Sequence, residues 1–387
     1  MSHKKGKLKV ALMHDYMVQY GGAERVLSVL HGIFPSAPIY TLFYDETVVR
    51  SYFAGADIRS SFLQKAPSFL RKRFKYLSLL AVPAVENFDF TGYDLVISSC
   101  AFFAKGIITD PDTIHVCYCH TPTKYLWEFH DKGSEKPHVK SFVERIVAHV
   151  FRIWDFQAVS RVDYFIANSK HTKKRIKKYY KRDSFIVYPA VGKEIIDSGT
   201  KADMLYKRAI LDKLPKDFYL IVSQLQDYKN IGVAVGAFNR MKYPLVIVGD
   251  GPEREKLEKM ASENIIFLGR QPDNIVRECY ERCRVYIYPG KEDFGISAVE
   301  AMLFGKPVLA YRSGGVLESV VEGVSGEFFD DLNPVILADG IRRINENYAG
   351  YNPQLIEGIG KRFSTERFKQ EFKRVLKRIL AHEWGVA

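Results

Sequence analysis

Residues 285–311, VYIYPGKEDFGISAVEAMLFGKPVLAY, contain one complete strand–helix–strand unit. The runs VYIYPG and PVLAY are short and apolar on both faces, and residues 295–304 between them have the apolar spacing of a helix. Strands of this kind, joined by a helix, predict a parallel sheet that is covered on both sides. We therefore expect an α/β fold built from such units.

The same alternation of strands and helices extends through the chain in both directions. In the second half, predicted strands at 218–225, 244–250 and 265–270 alternate with helices at 230–240, 253–262 and 273–282. In the first half, strands are predicted at 7–13, 94–99, 114–120, 164–169 and 185–189, with helices at 22–34 and 143–159. Two such runs predict two doubly wound Rossmann-like domains, and the polar stretch 192–210 is the expected link.

Composition narrows the class of protein. The chain has 387 residues, 47% of them apolar, and its net charge of +12 favours an anionic partner: a nucleotide, a nucleic acid or a membrane surface. No apolar run reaches the roughly 18 residues of a membrane span, and the apolar run near the start is too short for a signal peptide.

Five cysteines, an odd number, predict buried structural thiols in a reducing cytoplasm: Cys100, Cys117, Cys119, Cys279 and Cys283.

Two carboxylates distinguish the segment EDFGISAVE, residues 292–300. Glu292 falls in the loop after a strand, and Glu300 falls in the second turn of the predicted helix. The amide groups at the start of this helix are suited to a phosphate or a sugar hydroxyl. Glu300 adjoins apolar residues, so we expect it to be partly buried and to need hydrogen-bond donors, which a ribose diol would supply. The alternative is an ordinary helix whose glutamate is satisfied by a backbone amide.

With the following GKPVLAYRSGGVLESVVEGVSGEFF, residues 286–329 resemble the donor-binding region of retaining glycosyltransferases of family 4, which have the GT-B fold. The shared signature is two glutamates separated by seven residues, with Phe-Gly-Ile after the first. The resemblance continues in HDYMVQYGGAERVL, YCHTPTKYLW, IANSKHTKKRIKKYY and VGDGPE, in the family's order. It is strongest toward bacterial and archaeal mannosyltransferases of surface polysaccharide assembly.

The resemblance implies a domain organisation. Residues 1–200 would form an acceptor-binding domain and residues 201–365 a nucleotide-sugar-binding domain, the two facing a central cleft. A C-terminal helix, about 366–387, would pack back on the first domain.

The resemblance also assigns roles to single residues. Glu292 would contact hydroxyls of the donor sugar, Glu300 the ribose diol, and Lys229 the phosphate of the leaving group. His120 would lie opposite the donor sugar and bind a hydroxyl or the acceptor, although a lone histidine is more often structural. Further donor contacts are implied for Gly21, Gly22, Gly251, Arg270, Gln271, Phe294, Gly295 and Ile296.

One position departs from the family pattern. Gln224 stands where the family has an arginine, five residues before Lys229, as a second cation for the phosphate. Lys291, Arg270 or Arg312 could supply the missing charge. Otherwise the chain would be a weakly active nucleotide-binding scaffold.

The chemistry implied is a retaining, metal-independent hexosyl transfer. No Asp-x-Asp motif follows a predicted strand where paired carboxylates would hold Mg²⁺, so we expect no metal. The expected reaction moves mannose from GDP-mannose to a lipid-linked saccharide. A UDP-sugar donor or a soluble acceptor is the alternative.

Two basic segments, 63–80 and 170–182, mix lysine and arginine with aromatic residues. Such segments can bind anionic lipid, and we expect a peripheral protein on the inner face of the cell membrane. A solvated helix face is the main alternative, and no recognised motif supports a nucleic-acid groove. The residues expected on the membrane and acceptor side are Arg71, Lys72, Arg73, Lys173, Lys174, Lys177 and Lys178.

Overall fold

The computed structural model describes residues 8–67, 71, 78–128, 142–192 and 201–385, with the backbone only for 201–205. They divide into two compact units, each with its own parallel sheet. The first unit runs to Ala190 and includes the segment from Thr365 onward, and the second runs from Val191 to Ser364.

The first unit contains a seven-stranded sheet in the order β3-β2-β1-β4-β5-β6-β7, with every pair of neighbours parallel. Its strands are β1 (Val10–His14), β2 (Ile39–Thr41), β3 (Ile58–Ser60), β4 (Leu95–Cys100), β5 (Ile114–Cys119), β6 (Tyr164–Ala167) and β7 (Ser184–Ile186). Its helices before residue 190 are α1 (Gly22–Ile33), α2 (Glu46–Tyr52), α3 (Ser78–Glu86), α4 (Lys124–Trp127), α5 (Phe142–Ala158) and α6 (Lys170–Arg175).

The second unit contains a six-stranded parallel sheet in the order β10-β9-β8-β11-β12-β13. Its strands are β8 (Tyr219–Val222), β9 (Leu245–Val248), β10 (Ile265–Gly269), β11 (Val285–Tyr288), β12 (Val308–Tyr311) and β13 (Gly326–Phe329). Its helices are α7 (Lys201–Leu211), α8 (Ile231–Met241), α9 (Arg254–Met260), α10 (Asp273–Arg282), α11 (Ile296–Leu303), α12 (Pro334–Glu346) and α13 (Pro353–Gly360).

Both sheets are covered on both faces, because successive strand residues point into different apolar clusters. In β1, Met13 enters one buried cluster and Leu12 the other, and in β12, Ala310 and Leu309 are divided in the same way. This confirms the predicted fold class of two doubly wound, Rossmann-like domains. The strand order reverses next to β1 and next to β8, which is where such sheets bind ligands at their carboxyl ends.

The C-terminal helix α14 (Thr365–Trp384) packs on the first unit, as predicted. Phe368 and Phe372 are fully buried in the same apolar cluster as Leu12 and Tyr118. The rings of Tyr118 and Phe368 lie 5.8 Å apart in an edge-to-face contact.

Two details differ from the sequence prediction. The expected link at 192–210 is in part a helix: α7 belongs to the second unit, where Lys207 forms a 2.8 Å ion pair with Glu278 of α10. Residues 193–200 of that stretch lie outside the described residues. The short strands β2, β3 and β13 were not predicted.

All five cysteines are buried thiols, as predicted. Burial raises the pKa of Cys279 and of Cys283 to about 12, which makes both thiols unreactive.

In the described part of the chain, no helix is both long enough and apolar enough to cross a membrane.

Candidate active site

The loop between β11 and α11 carries the first candidate residues. Gly295 caps α11 with φ +92°, a left-handed conformation that favours glycine, and a Cβ there would lie 3.1 Å from the hydroxyl of Tyr288. Phe294 is buried and packs edge to face against Phe363, with ring centroids 5.2 Å apart. The loop therefore holds the first amides of α11, at Ile296 and after, in a fixed position.

A second glycine-rich turn supports this loop from the side. The amide of Gly315 donates to the carbonyl of Glu292 across 2.8 Å, and Glu292 forms a parallel bridge with Gly314. A Cβ at Gly314 would approach that carbonyl oxygen to 2.3 Å, and one at Gly315 would approach the carbonyl of Asp293 to 2.0 Å. Only glycine permits this contact, which fixes the backbone that carries Glu292.

Lys229 and Glu292 form an ion pair through Nζ and Oε1. Lys229 lies in the short helix Asp227–Lys229 that follows β8, so the carboxyl ends of the neighbouring strands β8 and β11 bring the two side chains together. Their side chains are 15% and 25% exposed. The pair thus keeps a cation and a carboxylate accessible beside the start of α11.

Glu300 lies half-buried on α11, with a defined donor. The hydroxyl of Tyr280 on α10 donates to Oε2 of Glu300 across 2.9 Å. Nearby, the buried hydroxyl of Tyr288, at the end of β11, has no hydrogen-bond partner among the described residues. Helix α11 and the end of β11 therefore carry one carboxylate with a fixed orientation and one unsatisfied hydroxyl.

The loops after β9 and β10 carry the remaining second-unit candidates. Gly251 lies against the loop after β8, where a Cβ would approach the carbonyl oxygen of Leu225 to 2.4 Å. Arg270 is exposed directly after β10. The side chain of Gln271 is held at both ends of its amide. The amide nitrogen donates to the carbonyl of Leu268 across 2.6 Å, and the amide oxygen accepts from the hydroxyl of Tyr206 on α7 across 3.2 Å. All three lie at the carboxyl ends of strands.

The cations that could replace an arginine at position 224 differ in availability. Gln224 is exposed. Arg312 is already engaged by two carboxylates, with its guanidinium 2.6 Å from Asp330 and 2.5 Å from Glu322. The hydrogen bond to Glu322 is the main reason that the pKa of Arg312 lies above its ordinary value. The exposed Arg270 is better placed than Arg312 to serve, and Lys291 adjoins Glu292 in the chain.

In the first unit, His120 follows β5 and is held by Ser99 at the end of β4. Oγ of Ser99 lies 2.8 Å from Nε2 of His120 and 3.1 Å from Nδ1 of His14. Nδ1 of His14 also lies 3.0 Å from the carbonyl oxygen of Ser99, which can only accept, so this nitrogen carries the proton. The hydroxyl of Ser99 can then donate to Nε2 of His120, in which case that imidazole carries its proton on Nδ1.

The glycine pair after β1 joins the same network. Gly21 caps α1, and its amide donates to Oε2 of Glu24 across 2.9 Å. Oε1 of this buried glutamate lies 3.8 Å from Nε2 of His14. Gly22 is the first residue of α1 and is half-buried.

The sequence prediction missed His14, Ser99 and Glu24. The available signal was positional: polar residues at the ends of β1, β4 and β5, which are neighbours in the sheet. In the register of β1 and β4, His14 stands directly beside Ser99.

The segment 121–128 after His120 is held by a buried ion pair. Nζ of Lys105 lies 2.6 Å from Oδ1 of Asp155, and both side chains are almost fully buried. Asp155 also accepts from the hydroxyl of Thr123 and from the indole of Trp127, each across 2.7 Å. Thr123 precedes α4 and Trp127 is its last residue, so these two hydrogen bonds to Asp155 fix the start and the end of the helix.

The basic candidates fall into three groups. Lys173, Lys174, Lys177 and Lys178 are exposed, and Lys177 forms a 2.8 Å ion pair with Asp183. The guanidinium of Arg71 instead donates to the carbonyls of Tyr44 and Ala66, across 2.8 Å and 3.1 Å. Lys72 and Arg73 lie outside the described residues.

Arg175 is not part of the exposed charge of segment 170–182. Its Nε lies 2.7 Å from Glu128, and its other nitrogens donate to Thr121 and Pro122. This buried arginine is a second support for the loop after His120.

Comparison with known proteins shows a family similarity in the second unit. Residues 203–359 match the model of the family Glycosyl transferases group 1. The match covers 157 of the 387 residues, all of them in the second unit.

Individual relatives extend the similarity over the chain. An uncharacterized glycosyltransferase of Methanocaldococcus jannaschii is 28% identical, over 49% of this chain and 52% of its own length. The alpha-1,3/1,6-mannosyltransferase ALG2 of Candida glabrata is 24% identical over 98% of this chain and 95% of its own. The structure of Anabaena HepE in complex with UDP and glucose has the same fold, with a TM-score of 0.67 at 19% identity, covering 96% of this chain and 100% of HepE.

Proposed function

We propose that this glycosyltransferase moves mannose from GDP-mannose to a lipid-linked saccharide, in the biosynthesis of a glycan or surface polysaccharide. The observation that carries the proposal is the Lys229–Glu292 ion pair beside the start of α11, with Glu300 on the same helix. A cation, a sugar-binding carboxylate, helix amides and a ribose-binding carboxylate are what a nucleoside diphosphate sugar requires. The ALG2 relatives support mannose as the sugar.

In the proposed reaction, the acceptor hydroxyl attacks the anomeric carbon on the face that the diphosphate leaves. The new bond joins the acceptor oxygen to this carbon, the bond from the carbon to the phosphate oxygen breaks, and the departing diphosphate takes the hydroxyl proton. The anomeric configuration is thereby retained. Lys229 and the first amides of α11 stabilise the charge that develops on the diphosphate, so no metal is required.

Glu292 has a double role in this proposal. Its ion pair holds Lys229 at the site, and its second oxygen remains available to accept from hydroxyls of the sugar. It is not a covalent nucleophile, so the two-carboxylate mechanism of glycosidases does not apply. The backbone of Phe294, Gly295 and Ile296 would contact the sugar and the phosphate.

The first unit is proposed to bind the acceptor. Oγ of Ser99, 2.8 Å from Nε2 of His120, would orient this imidazole toward a hydroxyl of the acceptor or the sugar. Segment 170–182 exposes six lysines, which would bind anionic lipid at the inner face of the cell membrane.

A thermal-shift panel tests the donor. We expect GDP and GDP-mannose to raise the melting temperature, and UDP-glucose to raise it less. The best binder is then incubated without acceptor, where slow hydrolysis is expected. A larger shift with a UDP-sugar would replace the proposed donor, and binding without hydrolysis or transfer would favour the scaffold alternative.

A test of the acceptor uses the exposed lysines. Changing Lys173, Lys174, Lys177 and Lys178 to glutamate should weaken binding to anionic vesicles and slow transfer to a lipid-linked acceptor, while donor hydrolysis continues. Each basic residue near such a surface contributes about 1 kcal/mol. Equal binding of the wild type to neutral and anionic vesicles, or binding to neither, would favour a solvated helix face and a soluble acceptor.

A further inference from the structure

Helix α5 has an apolar outer face that is exposed in the part of the chain that the structure describes. Six of its large apolar side chains are between 47% and 76% exposed: Phe142, Val143, Ile146, Val150, Ile153 and Phe156. The steps from Val143 through Ile146 and Val150 to Ile153 are three, four and three residues, so these four lie on one face. The helix is about 25 Å long, at 1.5 Å per residue.

The inner face of α5 is buried, in contrast to the exposed outer face. Ala148, Phe151, Trp154 and Ala158 are buried in the core of the first unit. The adjacent helix α3, whose Glu86 accepts from the indole of Trp154 across 2.9 Å, adds Leu79 and Leu80, at 59% and 49% exposure. Several exposed apolar side chains on one face of a helix indicate an interaction surface, whereas scattered single ones do not.

The charges around this outer face determine the kind of partner. The exposed ionisable side chains of α5 are Arg145 and His149, while its two acidic residues, Glu144 and Asp155, are half-buried and buried. Helix α6, the next helix in the chain, also exposes lysines and adds to the positive charge of the first unit. An apolar helix face bordered by cations, with no exposed carboxylate on the helix, matches the interface of an anionic bilayer.

We propose that the outer face of α5 is a membrane-docking surface that inserts into the boundary between headgroups and acyl chains of an anionic bilayer. This inference rests on the proposed function, because it identifies the element that would bring the protein to a lipid-linked acceptor. A second copy of this chain is a poorer partner, since two identical faces would bring Arg145 of each copy to an interface with no exposed acidic residue on α5.

The same helix connects the proposed docking surface to His120. On its inner side, Nε of Arg152 donates to the carbonyl of Leu126 across 2.9 Å, and Asp155 accepts from Thr123 and Trp127. These bonds fix segment 121–128, which directly follows His120. A bilayer bound to α5 is therefore connected through two polar side chains to the loop proposed to bind the acceptor.

The test is vesicle flotation of the full chain with the triple variant Ile146→Ser, Val150→Ser, Ile153→Ser. The matched control is Val335→Ser, Ile336→Ser, Leu355→Ser, three exposed apolar residues of the second unit at 52%, 40% and 54% exposure. Vesicles are phosphatidylcholine with and without phosphatidylglycerol. The α5 variant should lose more than about tenfold in partitioning to the anionic vesicles, because the apolar contribution is removed. The control should bind like wild type.

Added salt distinguishes the insertion of apolar side chains from the electrostatic attraction of the protein to anionic lipid. At about 1 M salt the Debye length falls to about 3 Å, so binding that remains in wild type is apolar and should be absent in the α5 variant. Equal partitioning of wild type and α5 variant would overturn the proposal. So would a wild-type dimer that becomes a monomer in the α5 variant without a change in vesicle binding, since it assigns the face to self-association.

Donor-dependent readouts distinguish this inference from the proposed function. Nucleotide-dependent thermal shift and donor hydrolysis should be the same in the α5 variant as in wild type, which also shows that the variant is folded. If wild type gave neither readout while the α5 variant still lost vesicle binding, the docking surface would stand and the proposed function would fail.

Discussion

The hydroxyl of Tyr280 donates to Oε2 of Glu300 across 2.9 Å and thereby joins α10 to α11. This bond holds a half-buried carboxylate near the carboxyl end of the sheet, one helical turn after the capping Gly295. In the proposed complex with the nucleotide, the other oxygen of Glu300 accepts from the hydroxyls of the ribose.

Glu300→Gln should weaken GDP binding by about 1.5–3 kcal/mol, the contribution of hydrogen bonds to a charged group. The variant keeps the shape of the side chain and removes its charge. The matched control is Glu281→Gln, since Glu281 forms an exposed ion pair with Arg277 on α10 and should not affect the nucleotide. Isothermal titration calorimetry measures both, and equal affinities of folded Glu300→Gln and wild type would contradict the assignment.

Lys229→Met should lower kcat about 10²- to 10³-fold, because it removes a preorganised cation from the leaving diphosphate. Lys361→Met is the control: Lys361 is 64% exposed and pairs with Glu357 on the surface of the same unit. Steady-state kinetics with saturating acceptor provide the measurement. A change confined to KM would mean that Lys229 binds substrate without stabilising the transition state.

The sequence was sufficient for most of the described strands and for about half of the described helices. The apolar runs around β11 and β12 predicted buried parallel strands, because only such strands need apolar residues on both faces. It failed for β2 and β3, since each has three residues and Ile58, Arg59 and Ser60 are only partly buried or exposed. Helix α5 has apolar residues on two faces, so its spacing predicted a helix without indicating which face would be buried.

The sequence predicted which residues belong to the candidate site better than it predicted which of them are in contact. Glu292 and Glu300 can be recognised from a local pattern, whereas the contact of Glu292 with Lys229 joins positions 63 residues apart and depends on the adjacency of β8 and β11. Arg175 illustrates the opposite error. It lies within a run of exposed lysines, yet it is buried because it faces Glu128 across the fold.

Ser99→Ala should lower kcat/KM for the acceptor about tenfold and leave GDP binding unchanged. The change removes the hydrogen bond that orients His120, and one such bond contributes about 1–1.5 kcal/mol. Ser160→Ala is the control, because the hydroxyl of Ser160 is exposed and donates to the carbonyl of Gln157. If Ser99→Ala weakened GDP binding to the same extent as transfer, the loss would reflect general misfolding and not the position of His120.

Asp155→Asn should lower the free energy of unfolding by about 3–5 kcal/mol, because it leaves the buried cation of Lys105 without a counterion. Urea denaturation followed by circular dichroism measures the change. Asp183→Asn removes the exposed partner of Lys177 and should leave the midpoint unchanged. Equal midpoints for Asp155→Asn and wild type would show that the Lys105–Asp155 pair does not stabilise the first unit.

Excess EDTA should leave the rate of transfer within about twofold of the untreated rate, because side chains and helix amides are proposed to neutralise the diphosphate. The protein is dialysed against the chelator before the assay, and Mg²⁺ is added back in a parallel sample. Loss of activity that Mg²⁺ restores would contradict metal-independent transfer.

The most direct test of the central claim is sugar transfer by the purified chain. GDP-mannose labelled in the sugar is incubated with vesicles that contain a lipid-linked saccharide, and the linkage of the product is determined by NMR. The account predicts a labelled glycolipid with an α-mannosyl linkage, retained from the α-linked donor, and about 10²- to 10³-fold slower formation of this product with Lys229→Met at the same protein concentration. A β-linked product, or equal product from wild type and Lys229→Met, would contradict it.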